Sequence, residues 1–133
     1  MEWKYVKNIE NGVSIDAFEA QTGYKFPIAF VKCVLDNNGG RPSKRAFVTR
    51  KGIERVMKTL LSFNKTDREN IWDANDMLKQ ELGDRYIAFA DDNFGNLICF
   101  DTGSDEIVFV ELESLGLDVI SEDFEEFMNQ LND

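Results

Sequence analysis

Residues 87–101, with the sequence IAFADDNFGNLICFD, contain the pattern that decides the fold. Two short apolar runs, residues 86–90 and 97–101, flank the polar segment Asp91-Asp92-Asn93-Phe94-Gly95-Asn96. Short apolar runs separated by a segment rich in Asp, Asn and Gly are typical of neighbouring antiparallel strands. The stretch therefore predicts two paired strands joined by a short turn.

A third apolar run, residues 107–112, follows the turn segment Thr102-Gly103-Ser104-Asp105. Its spacing predicts another antiparallel strand. Both faces of the three runs are apolar, which indicates a sheet that is covered on both sides. The expected fold class is therefore α+β, with helices packed on a mainly antiparallel central sheet.

Two helices are expected before the first of these strands is reached. Ser14 is a candidate N-cap for a short helix that reaches Thr22 and stops at Gly23. Pro27 suits the first turn of a second helix. That helix should end at Asn37-Asn38-Gly39-Gly40, because Asn and Gly readily adopt the left-handed conformation that closes a helix.

Two more helices are expected further along the chain. The segment Thr66-Asp67-Arg68-Glu69 has the spacing of a capping box, so a third helix should start near Asp67 and run toward Leu82. Ser121 is the expected cap of a C-terminal helix. The apolar stripe of that helix consists of Phe124, Phe127, Met128 and Leu131.

Residues 45–63 fit two structures. The apolar residues of 53–61 have helical spacing, whereas residues 46–49 resemble a strand that is followed by a turn at Lys51-Gly52. We favour a hairpin and keep a helix as the alternative. No repeat or Pro/Ser-rich linker interrupts residues 1–133, so one domain is expected. The residues expected in its core are Phe30, Phe89, Phe100, Phe109 and Phe127.

The sequence contains no histidine. This excludes Ser-His and Cys-His nucleophile pairs and His-based zinc sites, and leaves a carboxylate-based enzyme as the remaining catalytic alternative. Asp91-Asp92-Asn93 lacks the Gly and Glu spacing of a calcium loop, so no metal or cofactor is expected. Cys33 and Cys99 have apolar neighbours and are expected to be free buried thiols, with a disulfide as the alternative.

The location expected from the sequence is the cytoplasm. The N-terminal residues do not form a targeting segment, and no apolar run is long enough to span a membrane.

The net charge of −10 is unevenly distributed. Residues 41–58 contain seven Lys or Arg residues and one Glu, whereas residues 59–133 contain four Lys or Arg and nineteen Asp or Glu. A strongly acidic protein repels nucleic acid, so direct nucleic-acid binding is not expected. A basic partner protein is the natural counterpart.

Three stretches together resemble the SUKH superfamily, the group that includes Smi/Knr-like proteins. Residues 15–40 contain the pattern of Glu19, Gly23, Phe26-Pro27, Phe30 and Asn38-Gly39-Gly40. Residues 87–101 resemble the superfamily's apolar strand, acidic turn, Gly-Asn step and closing Asp. Residues 123–127 resemble its C-terminal helix. The order and spacing of the three stretches carry the resemblance, which frames nearly the whole chain.

The resemblance implies a non-enzymatic protein. Bacterial members of the superfamily commonly protect against toxins, often nucleases, that are encoded beside them. We therefore expect an immunity protein that binds and neutralises a basic toxin, with a nuclease as the expected toxin class. A regulatory scaffold of the cell-wall-regulator-like branch is the alternative.

The partner surface is expected in the acidic part of the chain, around the third helix and the turn between the first two strands of the sheet. Trp72 is a candidate anchor there, because aromatic residues are enriched in binding hot spots, and Trp3 and Phe94 are further candidates. The expected contact residues are Trp72, Asp73, Asp76, Glu81, Asp84, Asp91 and Asp92. The basic residues of 41–58 are the competing surface, and they could instead pair with the acidic half within a homodimer.

Overall fold

The computed structural model describes residues 1–133. The strands in chain order are β1 (Trp3–Lys4), β2 (Arg41–Pro42), β3 (Ala46–Val48), β4 (Glu54–Val56), β5 (Thr59–Leu60), β6 (Tyr86–Asp91), β7 (Leu97–Asp101), β8 (Ile107–Glu111) and β9 (Gly116–Ser121). The helices are α1 (Ser14–Thr22), α2 (Ile28–Asn37), α3 (Ile71–Leu82) and α4 (Phe124–Gln130). The expected α+β class is confirmed.

The main sheet is a five-stranded antiparallel meander with the order β5-β6-β7-β8-β9. The three predicted apolar runs form its three central strands. Every residue of β7 is buried, so side chains on both faces of this middle strand are covered, as the unbroken apolar pattern predicted. The edge strands β5 and β9 were not predicted. β5 has only two residues and β9 contains Gly116 and Asp118, so neither stands out as an apolar run.

Residues 45–63 form strands and connecting segments without a helix. β3 and β4 pair antiparallel, with Ala46 opposite Val56 and Val48 opposite Glu54. The favoured hairpin is therefore confirmed, and its turn contains Lys51-Gly52, with Gly52 at a φ of 83°. Of the apolar residues at helical spacing, Val56 and Leu60 lie in strands. Met57, between these strands, and Leu60 are both fully buried.

Phenylalanine rings form the centre of the core. Phe30 from α2 packs edge-to-face on Phe89 of β6 and Phe100 of β7, with ring centroids 5.6 and 5.3 Å apart. Phe124 of α4 closes the cluster at 5.4 Å from Phe30. All five phenylalanines predicted for the core are at most 1% exposed. Aromatic pairs in such offset and edge-to-face geometries stabilise a core beyond the area that they bury.

Three predicted N-caps are wrong, although the span of α1 to Thr22 and its stop at Gly23 are confirmed. α1 begins at Ser14 itself, and the buried Ser14 hydroxyl caps nothing and has no hydrogen-bond partner. α3 begins at Ile71 rather than near Asp67, because Asn70 accepts a hydrogen bond from the Asp73 N–H and acts as the N-cap. α4 is capped by Asp123 and not by Ser121.

The segment Asn38-Gly39-Gly40 ends α2 and joins three parts of the chain. The buried Asn38 side chain donates to the Lys7 carbonyl and to the Ser62 hydroxyl, and it accepts the Phe63 N–H at 2.9 Å. A Cβ on Gly40 would lie 2.8 Å from the Asn37 carbonyl oxygen, so the close approach requires glycine. The segment is thus a helix end, and its side-chain contacts are structural.

Candidate partner-binding surface

The solvent face of α3 is the most continuous acidic surface that the predicted residues form. Asp73, Asp76 and Glu81 are exposed and lie on one helical stripe with Met77 and Gln80. Residues spaced three, four, seven and eight positions apart share one side of a helix, so the carboxylates flank the two uncharged side chains. Met77 is 46% exposed and gives this stripe an apolar centre. We call these five residues the α3 stripe.

A buried polar contact positions the α3 stripe. Asn75, on the opposite side of the helix, donates to the Ala88 carbonyl of β6 at 2.9 Å and accepts the Ala88 N–H at 2.8 Å. Leu78, one turn further along, is fully buried. Because the amide pair matches donor to acceptor at one point of β6, the helix has one rotational setting, and its acidic side faces solvent.

Asp84 extends the acidic surface beyond the end of α3. Gly83, at a φ of 70°, closes the helix, and Asp84 follows in an exposed position. Lys79 lies 3.5 Å from the Asp84 carboxylate, but both side chains are more than two-thirds exposed, so the attraction is weak. The next basic residue, Arg85, is committed to Asp101, which accepts hydrogen bonds at 2.6 and 2.9 Å from its guanidinium group.

The Arg85 hydrogen bonds lower the pKa of Asp101, although partial burial of the carboxyl opposes the shift. Arg85 therefore neutralises Asp101 and leaves the carboxylates of the α3 stripe without a cation from this side.

Trp72 lies beneath the α3 stripe. Its indole is only 9% exposed, it donates from Nε1 to the Phe63 carbonyl at 3.0 Å, and it packs edge-to-face on Phe18. Lys65 covers the ring, with Nζ 4.3 Å from its centroid. A buried ring with its only donor already satisfied can support a surface, but it cannot insert into a partner while these contacts last.

Asp91 and Asp92 lie far from Asp84. Asp84 precedes the first residue of β6 and Asp91 is its last, so a strand of this length separates them by roughly 20 Å. Asp73, Asp76, Glu81 and Asp84 therefore lie on α3 or directly after it, and Asp91 and Asp92 lie at the opposite end of β6 from Asp84.

Both aspartates at the far end of β6 have structural partners. Asp91 is half-buried and accepts the Thr59 N–H. Burial raises its pKa to about 6, although Lys58 opposes the shift. Asp92 is 5% exposed and accepts hydrogen bonds from the Phe94 N–H, the Asn96 N–H and the Asn96 side-chain amide.

Three cations of the basic segment, residues 41–58, pair with acids from the other half of the chain. Arg50 pairs with Glu106 at 3.4 Å, Arg55 with Glu111 at 3.3 Å and Lys58 with Glu69 at 3.1 Å. The two charge blocks seen in the sequence therefore partly neutralise each other within one molecule. The α3 stripe takes no part in these pairs.

No large pocket opens beside α3. The cleft beside α3, bounded by Gln21, Thr22, Asp76, Lys79 and Tyr86, has a volume of about 150 Å³, small for a ligand pocket. No group of three or more His, Cys, Asp or Glu side chains is arranged to hold a metal ion. No helix combines the length and the apolar character that a membrane crossing requires. Cys33 and Cys99 are both free thiols.

Comparison with protein families places the chain in one family. Residues 12–130 match the sequence model of the SMI1 / KNR4 family, also called SUKH-1. The chain belongs to this family. The match includes α1 through α4 and every strand of the main sheet, and so covers all three stretches that resembled the SUKH superfamily. A search of curated proteins finds no match to the chain.

Sequence reasoning missed Met77 as a member of the surface. The signal was present, because Met77 lies four residues after Asp73 and four before Glu81 and therefore belongs to the same stripe as both. A methionine in an amphipathic helix is usually buried, so the pattern alone does not draw attention to it. In this SUKH-1 protein the residue is exposed because Leu78 and Asn75 occupy the buried side of α3.

Proposed function

We propose that this SUKH-1 protein is a cytoplasmic immunity protein, which binds a cognate bacterial toxin and neutralises it without catalysis. The observation that carries the proposal is the α3 stripe, a set of exposed carboxylates around Met77 on a protein of this family. A flexible apolar side chain within a charged rim is a common composition for a protein interface.

A basic toxin is the partner that best complements this surface. A nuclease needs a cationic groove to hold the phosphates of its substrate. An acidic surface of similar charge density attracts the same groove, speeds association and competes with nucleic acid for it. The ion pairs between residues 41–58 and the rest of the chain support the proposal, because they reduce the number of cations that would repel such a partner.

Co-expression in bacteria tests the proposed function. The toxin domain encoded next to this gene is expressed from an inducible promoter, with or without the present chain, and growth and complex formation are measured. We expect the chain to restore growth and to co-purify with the toxin in a fixed ratio. A folded chain that neither restores growth nor binds the toxin would contradict the proposal.

The same experiment addresses the alternative, a regulatory scaffold of the cell-wall-regulator-like branch. Such a scaffold would bind a host protein and leave the neighbouring toxin active. Protection of the cells together with direct binding to the purified toxin distinguishes the immunity role from this alternative.

A further inference from the structure

Phe94 differs from every other phenylalanine of the chain. Ten of the eleven are at most 3% exposed and form the core, whereas Phe94 is 85% exposed, the highest value among the exposed large apolar side chains. Ile28, the next in that ranking, is 72% exposed on α2. A ring exposed to water adds little to the stability of the fold, whereas a ring that enters a pocket of a partner can dominate binding, which makes Phe94 a candidate hot spot.

The backbone that carries Phe94 is firmly held. In the β6–β7 turn (residues 92–96), Asp92 is buried and accepts the N–H groups of Phe94 and Asn96 at 2.8 Å each. Gly95 takes a φ of 83°, which allows the chain to turn back. The ring is therefore presented on a preorganised loop, and little additional ordering is needed when it binds.

A neighbouring turn at the same end of the sheet is linked to this one. The Asn96 side-chain oxygen accepts the N–H of Leu112, in the turn between β8 and β9. Leu115 in that turn has a φ of 59°, a conformation that is unfavourable for a residue with a branched side chain. The two turns therefore form one connected surface at this end of the sheet.

We infer that Phe94 is the anchor of the toxin interface: the β6–β7 turn inserts its ring into an apolar pocket of the toxin, and Asp92 acts as the positioning residue. The inference rests on the proposed function and adds a second contact region, the turn at the opposite end of β6 from Asp84. Asp92 thereby acts through the backbone that it holds and does not pair with a cation of the partner.

The occupant of this surface is a different protein and not a second copy of the chain. A groove of about 400 Å³ lies between α2 and α4 and is bordered by Asp36, Glu125 and Lys32. Asp91 and Glu113 flank the two turns and the chain has a net charge of −10, so insertion of Phe94 into this groove would bring together two copies of like charge. A nucleobase could stack on the ring, but the same carboxylates repel phosphate.

The test compares variants for binding to the purified toxin domain encoded beside the gene. Phe94→Ala should weaken binding by at least about 30-fold, the effect of losing an aromatic hot spot. Phe94→Trp keeps a large aromatic ring and should retain most of the wild-type affinity. Ile28→Ala removes the next most exposed large apolar side chain and should leave binding within twofold. Asp92→Ala keeps the ring but frees the turn, and should weaken binding mainly through slower association.

The outcomes separate this inference from the proposed function. If the wild type binds the toxin and Phe94→Ala binds equally well, the inference is wrong and the immunity role stands. Wild-type protein that does not bind the toxin would overturn both. Phe94-dependent self-association in sedimentation, or Phe94-dependent binding of a single-stranded oligonucleotide, would assign the ring to another partner and refute the inference. Equal melting temperatures of Phe94→Ala and wild type confirm that folding is unaffected.

Discussion

At the scale of single residues, the acidic side chains of this protein have different tasks. Asp76 and Glu81 are exposed, Asp92 holds a turn, and Asp101 is tied to Arg85. Asp91 stands apart because it is half-buried near Glu69, and the two share the neighbouring cation Lys58. Although desolvation opposes the shift, hydrogen bonds from Lys58 and Thr59 lower the pKa of Glu69, whereas burial raises that of Asp91 to about 6.

Asp91 should make the protein less stable as the pH rises from about 4 to about 6. Its pKa in the folded state lies above the ordinary value of 3.8, so the folded state binds the proton more tightly than the unfolded chain. Asp91→Asn removes this loss. We expect the variant to gain about 2 kcal/mol relative to wild type between pH 4 and pH 7, by the linkage of pKa to stability.

Urea denaturation of both proteins at pH 4, 5, 6 and 7 checks this expectation. Glu113→Gln removes one negative charge from an exposed position and serves as the control. A difference between Asp91→Asn and wild type that stays constant over the whole pH range would show that Asp91 does not carry a raised pKa.

At the scale of elements, a helix begins where a side chain is available to accept a hydrogen bond from an N–H group of the first turn. Residue type alone does not show which side chain is available. Thr66, Asp67 and Glu69 have the spacing of a capping box, but each serves another purpose or is exposed. Asp67 accepts hydrogen bonds from Ser62 and Asn64, and Glu69 accepts them from Lys58 and Thr59. Asn70 remains free to cap α3.

Asn70→Ala should therefore destabilise the protein by about 1–2 kcal/mol, the usual effect of losing an N-cap. The substitution also removes the donor to the Asp67 carbonyl at 2.9 Å. Thr66→Ala, at the exposed position that the sequence suggested as the cap, should change the stability by no more than about 0.5 kcal/mol. Thermal or urea unfolding measures both. The reverse order of effects would mean that α3 begins at the capping box.

At the scale of the whole molecule, some charged side chains form ion pairs within the protein and others are exposed to solvent. Three cations of the basic segment, residues 41–58, pair with Glu69, Glu106 and Glu111, whereas the carboxylates of the α3 stripe form no ion pair. We therefore expect the long-range attraction of a basic partner to depend on α3 more than on the acids around the sheet. This division also makes residues 41–58 a weaker candidate for pairing two copies of the chain.

Reversing Asp76 and Glu81 to lysine should slow association with the toxin about tenfold at low ionic strength, and the difference should shrink as salt is added. Glu2→Lys with Glu122→Lys changes the net charge equally at exposed positions outside α3 and is the control. Stopped-flow association rates at two salt concentrations provide the measurement. Equal slowing by both pairs would indicate that only net charge matters and that α3 is not the contact surface.

The sequence by itself determined the fold class and the arrangement of the central strands. Residues 86–112 contain three apolar runs with short polar turns, and both the pairing and the turn positions follow from that local pattern. The burial of Phe89 and Phe100 follows as well, because an apolar run without alternation must be covered on both faces. Family membership was also accessible, since it rests on the order of such local patterns.

Only the tertiary structure decided which residues are free to act. Trp72 is buried because two segments outside α3 contact it. Phe18 of α1 packs on its ring, and the Phe63 carbonyl accepts a hydrogen bond from its Nε1. The Asp92 carboxylate is buried and accepts backbone hydrogen bonds within its own turn, whereas the Phe94 side chain, two residues later, is exposed to solvent. Such outcomes depend on contacts between remote segments, which compete for the same donors, acceptors and apolar surface. The spacing of residues along the chain does not show the outcome of that competition. The exposure of individual side chains and the residues that cap the helices were therefore known only from the folded structure.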